Sequence, residues 1–305
     1  MSYLFQQDES LADGVRRIAG HQVHKAIEEL QNSESDRHEA IHEVRKRFKK
    51  LRGLIRIVRP GLGNQYSQIN VWYRDAGRRL SRVRDAESML ESLAKLKVRF
   101  DDPAYAELFA AFEKCFQARK QQLVEEWIDL EQELQTLCEE LQTAQKQIEN
   151  WKIKGNPDKI LREGLQQNYR RGAEALTTLH EQPSDELFHE CRKRSKYYLY
   201  HMRLLKDVWE PILSAQLSVL DPLNDYLGDD HDLAVMTCQL TSEPERFGAA
   251  SDIDQFLTLI ARQREELQSA ALSLADRIYA EKPKAFAKRL QTYWKLWQDT
   301  NAQKS

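Results

Sequence analysis

Glycine and proline are scarce in this 305-residue chain, at 11 and 8 residues. Few breakers and abundant Glu, Lys, Arg, Gln, Leu and Ala describe a helix former. No run alternates apolar and polar residues, so a sheet is not expected. No apolar stretch approaches the roughly 20 residues of a membrane span. The start, "MSYLFQQDESLADG", lacks the basic and apolar regions of a secretory leader. The four cysteines (Cys115, Cys138, Cys191 and Cys238) are far apart and form no C-x-x-C pair, which suits reduced thiols in a cytoplasmic protein. Neither G-x-x-x-x-G-K-[ST] nor G-x-G-x-x-G occurs, so no nucleotide cradle is predicted.

Strong net charge is missing too. The formal value is only −2, unlike that of a generally basic nucleic-acid binder. The charge is instead segregated. "RKRFKKLRGLIRIVR" (45–59) carries eight Lys/Arg and no acid, whereas "EEWIDLEQELQTLCEE" (125–140) carries seven acids and no base. A balanced total can hide a strong local field.

The apolar pattern predicts helices over about 9–31, 36–59, 65–98, 104–150, 159–180, 184–206, 212–240, 252–281 and 284–299. Pro60-Gly61-Leu62-Gly63 stops the second, "KGNPDK" (154–159) is the clearest mid-chain turn, and "TSEPERFGAASD" (241–252) is a loop. Asp101, Ser184 and Asp252 are expected N-caps. The chain reads as all-α, with an N-terminal half over 1–153 and a C-terminal half over 154–305.

An internal repeat relates the halves. "HEVRKRFK" (42–49) recurs as "HECRKRSK" (189–196), identical at six of eight positions with an offset of 147. The same offset aligns "LSRVRDAESM" (80–89) with "LGDDHDLAVM" (227–236). Two blocks in one register predict two related helical bundles packed about a pseudo-twofold axis.

On the first copy Ile41, Val44, Phe48, Leu51, Ile55 and Val58 step by three and four, which makes a core stripe. Their next neighbours are His42, Arg45, Lys49, Arg52, Arg56 and Arg59. One residue turns about 100° around a helix, so these cations line the shoulder of the buried stripe and face a groove. Lys46 and Lys50 widen the strip. On the second copy the stripe is Phe188, Cys191, Ser195, Tyr198, Met202 and Leu205. Its shoulder is His189, Arg192, Lys196, Leu199, Arg203 and Lys206. Like charges spaced i,i+4 repel, and a polyanion would relieve that repulsion. Arg offers a planar fork for phosphate, Lys a point charge and His a pH-dependent donor. Aromatics for base stacking are not interleaved with the first strip, which suits a ligand of charge alone.

His38-Glu39-Ala40-Ile41-His42 also fits H-E-x-x-H, in which two histidines on one helix face hold zinc. The second copy reads Asp185-Glu186-Leu187-Phe188-His189 and lacks the first histidine. The match is read as accidental, and no metal or cofactor is expected. His42 and His189 are read either as phosphate contacts or as structural histidines. Asp85 and Asp232 are read as caps or as partners orienting an arginine.

The two "HExRKRxK" blocks, "KYYLYHMRLL" after the second, and the paired "RVRDAESML" and "GDDHDLAVM" segments resemble the CHAD family, the conserved-histidine α-helical domain. The likeness runs from about Ser10 to the last helix. It implies two pseudo-symmetric four-helix bundles with a central basic groove that binds inorganic polyphosphate. By position, His42, Arg45, Lys46, Lys49 and Arg52 are implied contacts in the first half, with Arg56 further along the same strip. His189, Arg192, Lys193, Lys196 and Arg203 are those of the second. Arg82 and Arg84 beside Asp85, and His231 beside Asp232, are secondary candidates. The chain departs from the family pattern at Lys46, often apolar there. It also has Ser81 where the second copy has Gly228, so the first-copy helix is expected to run through that point.

The resulting expectation is a non-enzymatic, cytoplasmic polyphosphate binder, associated with polyphosphate granules and not with a membrane. A nucleic-acid or phosphoprotein ligand in the same groove is the alternative, and a polyphosphatase is a third reading.

Overall fold

In the computed structural model the described residues are 3–32, 37–126 and 129–302; the side chains of 81–85, 124, 126 and 300–302 lie outside that description. Every regular element among the described residues is helical, so the fold is all-α. The α-helices are α1 (Leu11–Gln31), α2 (Arg37–Ile57), α3 (Arg59–Leu62), α4 (Gln65–Arg79), α5 (Ser81–Arg99) and α6 (Ala106–Glu126). They continue as α7 (Leu130–Ile148), α8 (Pro157–Glu181), α9 (Asp185–Leu205), α10 (Glu210–Ser242), α11 (Ala250–Ile278) and α12 (Pro283–Ala302).

Local chemistry sets the ends. Ser10, Asn156 and Ser184 accept the backbone N–H groups of Asp13, Lys159 and Leu187, which caps α1, α8 and α9. Asp102, not Asp101, caps the short 3-10 turn Pro103–Tyr105. Asp252 lies inside the first turn of α11, whose cap position is Ala249. Gly155, at φ 114°, makes the mid-chain turn that the sequence marks.

The helix predicted over 65–98, expected to run through Ser81, is broken there, whereas the one predicted over 212–240 is continuous. α10 runs on through Pro222 and Gly228, whereas the first-half helix stops between Arg79 and Ser81 at Leu80. Arg45 supplies a reason: its guanidinium donates to the Gly77 carbonyl. In an unbroken helix that carbonyl would accept from the Ser81 N–H. A tertiary contact of this kind leaves no local mark in sequence. The helix predicted over 104–150 is also divided, into α6 and α7.

Packing repeats with the sequence. α1 on α2, α1 on α7, α2 on α4 and α5 on α6 recur as α8 on α9, α8 on α12, α9 on α10 and α10 on α11. The halves are not separately cored, however. The largest hydrophobic cluster joins α1, α2, α4 and α7 to α8, α9 and α12, and a second joins α5 and α6 to α10 and α11.

At the centre α2 meets both α8 and α9. A Cβ on Gly164 would lie 1.8 Å from the Ile57 carbonyl oxygen, so α8 reaches the backbone of α2 only because that side chain is absent. A Cβ on Gly53 would lie 2.9 Å from the Tyr200 Cβ. Gly53 and Tyr200 are equivalent positions at the repeat offset of 147. Equivalent points meet only near a symmetry axis, so the two repeats are related about this crossing.

Candidate anion-binding cleft

Both predicted core stripes are buried. Ile41, Val44, Phe48, Leu51, Ile55 and Val58 form one, and Phe188, Cys191, Ser195, Tyr198, Met202 and Leu205 the other. With the stripes fixed inward, the next residues along each helix emerge on its shoulder. Arg45, Arg192, Lys196 and Arg203 are half-buried there, and Lys49 is open to solvent.

The shoulders line one cleft of about 390 Å³. His42, Arg45, Lys46, Lys49 and Lys50 enter it from α2, and Arg192, Lys196, Tyr200 and Arg203 from α9. α5 contributes Glu91 and Lys95, and α10 contributes Asp225, Asp229, His231 and Asp232. The two basic rows therefore share a cleft, and carboxylates occupy the α5 and α10 side.

Ion pairing sorts the cations. Glu43 takes Lys46 at 2.8 Å and Arg47 at 3.6 Å. Its repeat mate Glu190 takes Lys193 and Arg194, the latter at 2.6 Å. In both copies the Glu of "HExRKRxK" thus neutralises the K-R dipeptide that follows. Arg203 pairs with Asp221 at 2.6 Å and Lys95 with Asp229 at 2.6 Å. Among the described residues no carboxylate lies within 4.0 Å of Lys49, Lys50, Arg192 or Lys196.

Crowding shows in the ionisation. Burial, reinforced by Arg192, Arg45 and Lys196, pushes the Lys49 ammonium down to about 7. Although its side chain reaches solvent along the cleft, protein surrounds its sides. Burial with Arg47, Lys46 and Arg203 pushes Lys50 down to about 8. Lys196 is lowered by burial, Arg192 and Arg203. Burial is the larger cause in each case, and the neighbouring cations add to it.

The histidines divide. His42 and His231 line the cleft, and His189 approaches His231 with the two Nδ1 atoms 3.3 Å apart. Burial and Arg192 lower both rings, His231 to about 3, so the pair is neutral near pH 7 and one Nδ1–H donates to the other. Among the described residues no group of three His, Cys, Asp or Glu is placed to hold a metal ion.

Other expected contacts fall elsewhere. Arg52 and Arg56 do not line the cleft; Arg52 bonds Asn70 at 3.2 Å, and Arg56 lies over Tyr197 at 4.1 Å. Lys193 is outside the lining and spent on Glu190. The side chains of Arg82, Arg84 and Asp85 lie outside the described residues. Asp232 sits within α10, which rules out the cap reading and leaves it facing the cleft. Lys95 and the acidic α10 face were not expected. Lys95 belongs to no repeated block, so only the folded contact of α5 with α10 reveals it.

The profile of the CHAD domain matches residues 18–241, most of the chain. The chain belongs to the CHAD domain family. The matched span ends within α10, so α11 and α12 lie beyond it. The crystal structure of the CHAD domain from the plant Ricinus communis aligns with a TM-score of 0.60 at 16% identity, covering 92% of this chain and 95% of that one. At that identity the likeness concerns the fold, and it extends the CHAD architecture over the last helices. No curated protein matches the chain. Among the described residues no helix is long and apolar enough to cross a membrane.

Proposed function

We propose that this CHAD domain protein binds inorganic polyphosphate in the α2–α9 cleft and does not turn it over. One observation carries the reading: Lys49, Arg192 and Lys196, from both repeats, share a cleft without a carboxylate partner among the described residues. A chain of phosphates would supply the missing negative charge, with Arg192 as a fork and the lysines as point charges. Among the described lining residues the only Phe, Tyr or Trp is Tyr200, itself buried, so no large ring is offered as a stacking platform for a nucleobase. The facing carboxylates of α5 and α10 would confine the anion to the basic side. The reading places the protein in the cytoplasm, with polyphosphate granules as its partner.

The test is the K49E/R192E/K196E variant. Arg45 is spared because it also holds the Gly77 carbonyl. Charge-assisted contacts are worth about 1.5–3 kcal/mol each, so affinity for long-chain polyphosphate should fall by more than about a hundred-fold. An unchanged helical circular dichroism spectrum controls for folding. Unaltered binding would refute the site. Competition with DNA or RNA of matched charge tests the nucleic-acid alternative, and phosphate release with Mg²⁺ or Mn²⁺ would reveal an enzyme.

A further inference from the structure

The cations that leave the cleft converge on Tyr66. The Arg59 guanidinium lies 4.7 Å from its ring centroid and that of Arg56 lies 5.9 Å away. Arg56 also covers the Tyr197 ring at 4.1 Å. Arg52, bonded to Asn70, and Arg171 of α8 both lie within electrostatic reach of Tyr66 and Arg56. All four arginines are half-buried, and the Arg56 Nε is buried without a hydrogen-bond partner.

Their charge is not balanced locally. Among the described residues no carboxylate lies within 4.0 Å of any of the four. Asp75, which lies within electrostatic reach of Arg52, is engaged by Arg74 at 2.7 Å, and Glu190 is engaged by Arg194 at 2.6 Å. The second repeat has the acid that the first lacks. Arg56 is equivalent to Arg203, which meets Asp221 at 2.6 Å. The residue equivalent to Asp221 is Arg74, so the first repeat carries a cation where the second carries the neutralising acid. Burial together with the neighbouring arginines lowers both Arg52 and Arg171, consistent with uncompensated charge.

We propose that Arg52, Arg56, Arg59 and Arg171 form a second anion site, separate from the cleft, that takes a triphosphate group. Several guanidinium forks, two of them braced on buried rings, favour a compact multivalent oxyanion over a single carboxylate. Tyr66 and Tyr197 are only 8% and 6% exposed, so no ring face is open to a base. Inorganic tripolyphosphate should therefore bind at least as well as a nucleoside triphosphate.

Calorimetric titration of the full chain with tripolyphosphate tests this independently of the cleft. The wild type should bind two equivalents. K49Q/R192Q should remove one and retain the other, while R171Q should weaken the retained class about ten-fold or more and spare the cleft class. Among the described residues Arg171 covers no ring, so R171Q leaves the stacked pairs of Arg56 and Arg59 in place; R56Q/R59Q is the second variant. Loss of all tripolyphosphate binding in K49Q/R192Q, or two unaltered equivalents in R171Q, would overturn the proposal, whereas a single wild-type equivalent that R171Q weakens would count against the cleft alone. ATP binding ten-fold tighter than tripolyphosphate at this site would overturn its inorganic specificity.

Discussion

Gly53 and Tyr200 hold the same place in the two repeats and touch each other where α2 crosses α9, with room for no side chain on the glycine. Alanine at a helical glycine ordinarily gains about 1 kcal/mol. Overpacking a core costs about 1–3 kcal/mol. Gly53→Ala should therefore be destabilising on balance, by up to about 2 kcal/mol. Gly164→Ala should be worse, because its Cβ would strike the Ile57 carbonyl oxygen, a backbone atom that cannot rotate aside. Denaturant midpoints rank the two variants. A stabilised Gly53→Ala would show that the helices separate at little cost.

His201 seals the same crossing, with Nε2 3.0 Å from the Gly53 carbonyl oxygen. Burial depresses its pKa to about 3; the Gly53 carbonyl opposes that shift and Arg56 adds to it. An unfolded histidine titrates near 6.5. Between these values the unfolded chain holds a proton that the folded protein lacks, so stability falls as pH falls from about 6.5 towards about 3. His201→Gln removes that group, and the slope of stability against pH should drop by up to about 1.4 kcal/mol per unit. The slope is the readout, whatever the variant's absolute stability. An unchanged slope would place the proton on His201 in the folded protein.

Much of this was legible in the sequence because it depends on local periodicity. The stripes from Ile41 to Val58 and from Phe188 to Leu205 follow from helix geometry alone, and once they are buried the shoulder cations must flank them. Ion pairing was less legible. Glu43 and Glu190 reach the i+3 and i+4 cations of their own helices, a relation that spacing permits but does not require. Contacts between distant elements were invisible. No local signal says that Arg45 ends α4, that Lys95 meets Asp229, or that Arg52 and Arg56 turn from the cleft towards Tyr66 and Tyr197.

Polyphosphate binding should depend on pH through the lysines of the cleft. Lys49 and Lys50 are lowered to about 7 and about 8 in the free protein. A bound polyanion favours the charged form and raises both values, so binding takes up protons. Affinity should rise as pH falls from 9 to 6, most steeply around 7 to 8. Calorimetry in buffers of different ionisation enthalpy measures the uptake directly. Lys49→Arg, which stays charged throughout, should flatten the profile; an equally steep profile in that variant would assign the dependence to another group.

Glu43 and Glu190 hold back cations that would otherwise add to the basic field. Lys46 already lines the cleft while bonded to Glu43 at 2.8 Å, and Lys193 is held in the same way by Glu190. Glu43→Gln keeps the shape of the side chain and removes its charge, which frees Lys46 beside the ligand. For single-stranded polyanions the logarithm of affinity falls with the logarithm of salt by about 0.7 per neutralised phosphate. One recruited cation should therefore steepen the slope by about 0.7 and tighten binding at low salt. Glu190→Gln should change the slope less, because Lys193 lies outside the lining. Titrations of both variants at several salt concentrations separate the two effects. Equal slopes in Glu43→Gln and the wild type would mean that Lys46 does not reach the phosphate chain.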